Sequence, residues 1–272
     1  MNNFAVKEGA PYFNQDMNSS NPKIHFQSYG DKNGVPIIWA HGWGQSHKSF
    51  EGLIQSFENI GHHIAIDFPG FGDSPEPTQP WGTEEYAAAA AAFIKDQGFD
   101  QVIWIGHSFG CRVGVQLASR HPELIKGLGM ISGAGLPRKR SIFKSIYFKL
   151  RIAVFKLAKT LIPLGLNEDW LRSKFGSRDY KNTSGIMRQL FVKVVNEDLS
   201  NQTKQITCPV TLIYGENDDE TPPDMGERYA KLINGAELTV IPKQDHYTVL
   251  GQGRHQVTPL LKNFIESLKQ KT

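Results

Sequence analysis

The sequence predicts an α/β fold: a mostly parallel central sheet with helices on both faces, plus an inserted α-helical cap. Three observations carry that expectation. Short apolar runs alternate with helical patterns along most of the chain. Several of those runs end at glycine or proline, as strands of a buried sheet do. The alternation fails only between about Ala134 and Ile206, where no strand pattern occurs. These limits give a core of residues 1–135 and 206–272 and a helical insertion at 136–205.

The elements follow in order. Lys23 to Gly30 alternates and ends in glycine, which reads as an early strand. Val35 to Ala40 is a short buried-strand run that stops at His41-Gly42. Phe50, Leu53, Ile54 and Phe57 recur at helical spacing, so Ser46 to Ile60 reads as a helix. His63 to Phe68 is a strand closed by Pro69-Gly70. Thr83 reads as an N-cap, with Glu84 and Glu85 where the helix dipole favours negative charge. The Ala87 to Ala92 run continues that helix and Gly98 ends it. Strand Gln101 to Gly106, helix Phe109 to Arg120 and strand Gly127 to Ser132 come next. Past the insertion the pattern gives strand Val210 to Tyr214, a helix from about Asp224 to Ile233, strand Glu237 to Ile241 and a closing helix, Thr258 to Lys269.

Composition bounds the function. The 272 residues suit one large α/β domain with an insertion. A net charge of +3, from 30 basic and 27 acidic side chains, gives no general case for nucleic-acid binding. Cys111 and Cys208, the two cysteines, make neither a disulfide framework nor a metal cluster. The polar start, Met1 to Ser20, is unlike a signal peptide. No uncharged apolar run approaches the roughly 18 residues of a membrane span. Cytoplasmic residence is the simplest expectation.

Chemistry enters at Gly106-His107-Ser108-Phe109-Gly110. This Gly-x-Ser-x-Gly follows a strand and opens a helix, the context that gives the motif meaning. Small residues two before and two after the serine let the two backbones pass. The Ser108 hydroxyl then projects from the strand end, and the backbone N–H of Phe109 can face an oxyanion.

With His41-Gly42-Trp43-Gly44 and Asp67-Phe68-Pro69-Gly70-Phe71-Gly72-Asp73-Ser74, this motif resembles the three N-terminal signatures of the α/β-hydrolase superfamily, in their usual order. The resemblance runs from about Lys23 to Lys269, apart from the insertion. It implies a Ser-acid-His triad in that chain order. The family's acid sits three residues after a glycine, which selects Asp218 in Gly215-Glu216-Asn217-Asp218, with Asp219 the near alternative. The base implied is His246, after the last strand and before the closing helix; His255 lies later. The family has glycine before this histidine, whereas here Asp245 takes that place. Trp43 would supply the second oxyanion N–H beside that of Phe109, and Gly42 lets its loop approach the substrate. His41 and His107 are expected to fix loops, and Tyr247 to support the site. Asp67 and Asp73 are expected to build the sheet edge and turn, and His25, His62, His63 and His121 to be ordinary surface or packing residues.

Serine at 108 argues against haloalkane dehalogenases and epoxide hydrolases, which resemble this sequence but use Asp there. The implied reaction is acyl transfer to water, without metal or organic cofactor. The leading expectation is a carboxylesterase-like enzyme acting on a small-molecule ester. Its runner-up is a carbon–carbon bond hydrolase of ring-cleavage products. A non-catalytic lipid- or ligand-binding relative is a third reading.

The insertion holds a local charge excess. Pro137 to Ile162 carries eight basic residues and no acidic one, which leaves −5 on the rest of the chain. From Ser141 to Ile162 the basic residues share a helical wheel with Ile142, Phe143, Ile146, Leu150, Val154, Leu157 and Leu161 on the other half. The cap reading places this apolar face over an acyl or aromatic pocket. The sharper reading is weak contact with an anionic membrane. Arg178, Asp179 and Arg188 could read a polar substrate group, or pair within the cap. Oligomeric state and substrate identity do not follow from these residues.

Overall fold

The computed structural model describes residues 23–139 apart from residue 58, residues 150, 153, 154, 157 and 158, and residues 178–269. Its strands are β1 (His25–Gly30), β2 (Pro36–Ala40), β3 (His62–Asp67), β4 (Val102–His107), β5 (Ile125–Ile131), β6 (Val210–Gly215) and β7 (Glu237–Ile241). They form one sheet in the order β1-β3-β2-β4-β5-β6-β7. Only β1 is antiparallel to its neighbour; every other pairing is parallel.

Alternation along the strands builds two cores. In β2, Ile37 and Trp39 join one apolar cluster, while Ile38 and Ala40 join the other. The first cluster is closed by Phe50, Phe57 and Leu261, the second by Tyr86, Ile94, Val113 and Leu117. A strand buried on both faces has to be apolar along its length, and β4 is from Val102 to Gly106.

Helix α2 (Thr83–Asp96) begins one residue earlier than the sequence reading implies. Gly82 is the N-cap, and its N–H donates to the Glu85 carboxylate at 2.7 Å. Thr83 is drawn into the helix because its N–H and hydroxyl both donate to Glu197. The helix expected over Ser46–Ile60 is broken into a 3-10 turn (His47–Phe50), α1 (Glu51–Ile54) and a second 3-10 turn (Gln55–Phe57). Burial of Phe50, Leu53, Ile54 and Phe57 on Trp39 and its neighbours sets that path. Helix α3 (Phe109–Arg120) has the expected bounds.

Between β5 and β6 the described residues form α4 (Arg178–Asn182), α5 (Gly185–Asn196) and α6 (Ser200–Thr203), and no strand. Most of the expected basic amphipathic helix lies outside the described residues. At three described positions of its apolar face, Leu150, Val154 and Leu157, the side chains are exposed by 63, 45 and 69 %. They do not line the cavity, contrary to the expectation for that face. After β6 come α7 (Pro223–Leu232) and α8 (Arg254–Lys269). Helix α8 starts four residues before the predicted Thr258, so His255 sits in its first turn. Among the described residues no helix is long and apolar enough to cross a membrane.

Gly106 and Gly110 let α3 pass close against β4 and β2. A Cβ on Gly106 would lie 2.6 Å from the Gly110 carbonyl carbon, and one on Gly110 would overlap the Ala40 carbonyl oxygen. Gly110→Ala must therefore push α3 off β2 and β4. We expect a loss of at least about 3 kcal/mol in urea unfolding, from overpacking against backbone that cannot move aside.

Candidate active site

The site lies at the C-terminal ends of β2, β4, β6 and β7. Ser108, between β4 and α3, has φ 49° and ψ −102°. That left-handed conformation costs a non-glycine residue about 1–3 kcal/mol. It is held from several sides. The Ser108 N–H donates to Ile131 O at 3.0 Å, and its carbonyl accepts from Cys111 N at 3.1 Å. Phe109 opens α3, where a first-turn N–H has no partner within the helix. Trp43 stands beside it, its ring 5.4 Å from that of Phe109.

Asp218 and His246 meet across two loops. His246 Nδ1 lies 2.8 Å from Asp218 Oδ2, and both residues are buried. The other oxygen, Oδ1, accepts from the N–H groups of Glu220 (2.9 Å) and Thr221 (2.7 Å). Burial alone would raise the Asp218 carboxyl. The hydrogen bond and charge of His246 and the Thr221 N–H outweigh burial and hold it below its ordinary value. Asp219 is exposed. The structure thus brings Asp218, not Asp219, to the imidazole. His255 is bonded to Gln252 O on the surface instead.

The aspartate that replaces the family's glycine has a local use. Asp245 Oδ1 accepts from the N–H groups of Tyr247 (2.9 Å) and Thr248 (2.8 Å). This turn presents the His246 ring. His107 then ties the two loops together, with Nε2 2.8 Å from the His246 carbonyl oxygen. His41 orients the neighbouring loop. Its Nδ1 donates to Gly42 O at 2.7 Å and its Nε2 accepts from Phe68 N at 3.1 Å. Gly42 N donates to Gln45 Oε1 at 2.9 Å, and a Cβ on Gly42 would press against His107 Nδ1 at 2.8 Å.

Two residues went unnoticed in the sequence. Thr221 Oγ1 lies 2.9 Å from Asp218 Oδ2, 3.0 Å from Ser132 O and 3.2 Å from His246 Nδ1. Glu220 is the second. Its Oε2 lies 3.6 Å from His246 Nε2, and its Oε1 accepts from Tyr247 Oη at 3.0 Å. Among the described residues the Ser108 hydroxyl makes no hydrogen bond. A run of acids after a strand gives no sign of which one turns inward; that depends on the turn.

A cavity of about 740 Å³ opens over Ser108. Trp43, Phe109, Leu136, Phe191 and Met225 supply apolar wall, with Arg112, Arg138, Asp179 and Glu197 at polar positions. Arg112 donates to the carbonyls of Val194 (3.0 Å) and Glu197 (3.3 Å), so it fastens the end of α5 to α3. Arg188 donates to Thr183 O and lies over the Tyr180 ring at 5.4 Å, which keeps it within the insertion. The Arg178 side chain lies outside the described residues.

A family model for the alpha/beta hydrolase fold matches residues 35–143, which span β2 through β5 and the Ser108 turn. That match, with the relatives that follow, indicates a protein of the α/β-hydrolase superfamily. Among its relatives, this hydrolase is 26 % identical to a pimeloyl-[acyl-carrier protein] methyl ester esterase of Neisseria meningitidis, over 85 % of this chain and 94 % of that one. It is 23 % identical to a 2-hydroxy-6-oxononadienedioate/2-hydroxy-6-oxononatrienedioate hydrolase of a Pseudomonas species, over 84 % and 86 % of the two chains. An esterase structure from Exiguobacterium antarcticum shares the fold with a TM-score of 0.71 at 19 % identity, over 91 % and 97 % of the chains.

Buried histidines make the hydrolase sensitive to mild acid. Burial lowers His41 from an ordinary 6.5 to about 4, and burial with the neighbouring His246 lowers His107 to about 3. Below about pH 6.5 the unfolded chain binds both protons, and the folded chain does not. Stability is therefore full above that pH and falls as pH drops towards 4, by up to about 1.4 kcal/mol per pH unit for each group. Urea midpoints at about pH 7 and pH 5 should show the fall, and His107→Gln should show a shallower one.

Proposed function

We propose that this hydrolase cleaves carboxylic esters with a mainly apolar acyl or aromatic group, through an acyl-enzyme on Ser108. The observation that carries the reading is the buried Asp218–His246 pair at 2.8 Å, together with a serine held in a strained turn that lines the cavity. In this reading Ser108 Oγ attacks the ester carbonyl carbon while His246 Nε2 takes its proton. The N–H groups of Trp43 and Phe109 hold the oxyanion. The imidazolium returns the proton to the leaving alkoxide, and the alcohol departs. Water then adds to the acyl-enzyme with His246 again as base, and the acid leaves. Asp218 holds the proton on Nδ1 and offsets the imidazolium charge.

Glu220 has a part in the same cycle. Its carboxylate lies 3.6 Å from Nε2, the atom that must take the serine proton, and so offsets the charge of the imidazolium that forms on attack. Residues 136–205 act as a cap in this reading. Phe191 of α5 packs on Trp43 with ring centroids 5.1 Å apart, and the cavity lies between them and Ser108. The apolar walls support an acyl or aromatic group, and relatives named as esterases support the bond type.

The second reading is cleavage of a carbon–carbon bond in a carboxylate-bearing ring-cleavage product. Arg138 at the cavity wall favours it, as does the Pseudomonas relative's name.

A p-nitrophenyl ester series from acetyl to long acyl chains tests the proposal. Wild type should turn over the series with an optimum set by the cavity, and Ser108→Ala should lose at least about 10⁴-fold in kcat. A wild type inactive on every ester but active on a ring-cleavage dienoate would replace the first reading by the second. Asp218→Asn should cost about 10⁴-fold in kcat and Asp219→Asn less than about threefold. The reverse ranking would remove Asp218 from the triad.

A further inference from the structure

We propose that His25, His47, Asp67 and Asp73 form a binding site for one zinc-type divalent cation, separate from the serine site. The four side chains come from three places. His25 begins β1, His47 begins the 3-10 turn after the Trp43 loop, and Asp67 and Asp73 bracket the turn that follows β3. One donor atom from each lies within 4.8 Å of all the others.

The donors converge on one point. His25 Nδ1 and His47 Nδ1 each lie 2.9 Å from Asp67 Oδ2. The same oxygen accepts from Asp73 N at 3.0 Å. His47 Nδ1 also lies 3.0 Å from Asp67 Oδ1, which accepts from His47 N, so two imidazoles face one carboxylate from the same side. A cation bound between the two Nδ1 atoms would stand in for the protons that otherwise bridge them to Asp67: each imidazole then carries its proton on Nε2, and the Asp73 N–H keeps its bond. Asp73 Oδ2, 3.8 Å from His25 Nδ1, supplies the fourth donor. Donors about 2.0–2.1 Å from a tetrahedral ion stand roughly 3.3 Å apart; His25 and His47 lie 2.9 Å from Asp67, His25 lies 3.8 Å from Asp73, and all four donors fall within 4.8 Å of one another.

Charge and access agree. Two carboxylates and two neutral imidazoles leave a net −2, which a dication balances. Asp67 is fully buried and His47 nearly so, so the inner half of the site is fixed. The His25 and Asp73 side chains are 31 and 70 % exposed and leave the outer side open to solvent. Two imidazole nitrogens select zinc, cobalt or nickel over calcium or magnesium.

The scaffold is rigid. His25 is registered against Asp67 across the β1–β3 pairing. Ser74 Oγ accepts from His25 N at 2.8 Å and donates to Asp67 O at 2.7 Å. A bound ion would clamp three segments together: β1, the turn to Ser74, and the loop that delivers Trp43.

The test uses the full chain without a polyhistidine tag, stripped with chelator and desalted. Titration with Zn²⁺ by calorimetry should give one site per chain, absent with Mg²⁺ or Ca²⁺, and Zn²⁺ should raise Tm. Co²⁺ should give the intense visible bands of a four-coordinate ion. Asp73→Asn alters an exposed side chain and should weaken Zn²⁺ at least about tenfold. His25→Gln and His47→Gln should abolish the cobalt bands. Absence of one-to-one binding by wild type, or binding by Asp73→Asn and His25→Gln as tight as wild type, would overturn the site. If His47→Gln does not fold, those two variants still decide it.

Discussion

The close passage of α3 across β4 and β2 is the constraint on which the rest of the structure depends. Gly106 and Gly110 permit it, and Ser108 takes a left-handed backbone conformation because of it. A serine there is unfavourable by itself. It persists because the surrounding sheet is buried on both faces and leaves the turn no other path. The same geometry sets Phe109 N–H at a helix start and leaves Ser108 lining a cavity. Stability drawn from a large apolar core is thus used to hold a small strained site.

Two buried carboxylates organise the loops around that turn. Asp218 gathers Thr221, Glu220 and His246 at the ends of β6 and β7. Asp67 gathers His25, His47 and Asp73 at the end of β3. Burial pushes both acids up, and the hydrogen bonds they accept pull both below their ordinary value. Each remains an anion in a low-dielectric setting only because backbone N–H groups and imidazoles are aimed at it. The histidines between the loops work the other way. His41 and His107 stay neutral and serve as hydrogen-bonded struts. The ends of the sheet are therefore joined by side-chain bonds where main-chain pairing has stopped.

The sequence by itself determined the order of strands and helices, the Ser108 turn, the loops that carry Asp218 and His246, and the break in strand alternation after β5. These follow from local rules: strand and helix periodicity, and glycines where backbones must touch. Spacing after Gly215 favoured Asp218 over Asp219, but only the turn closed by Thr221 shows which one faces His246. The break in the helix after Ser46 and the loss of Thr83 as a cap came from tertiary partners, Trp39 and Glu197. The apolar face of Leu150, Val154 and Leu157 read as pocket lining and stands exposed. The meeting of Glu220 with His246, and of His25 with His47 and Asp67, had no local signal at all. Those contacts join residues 20 to 42 positions apart through the sheet register and the turns at its ends, which spacing along the chain does not encode.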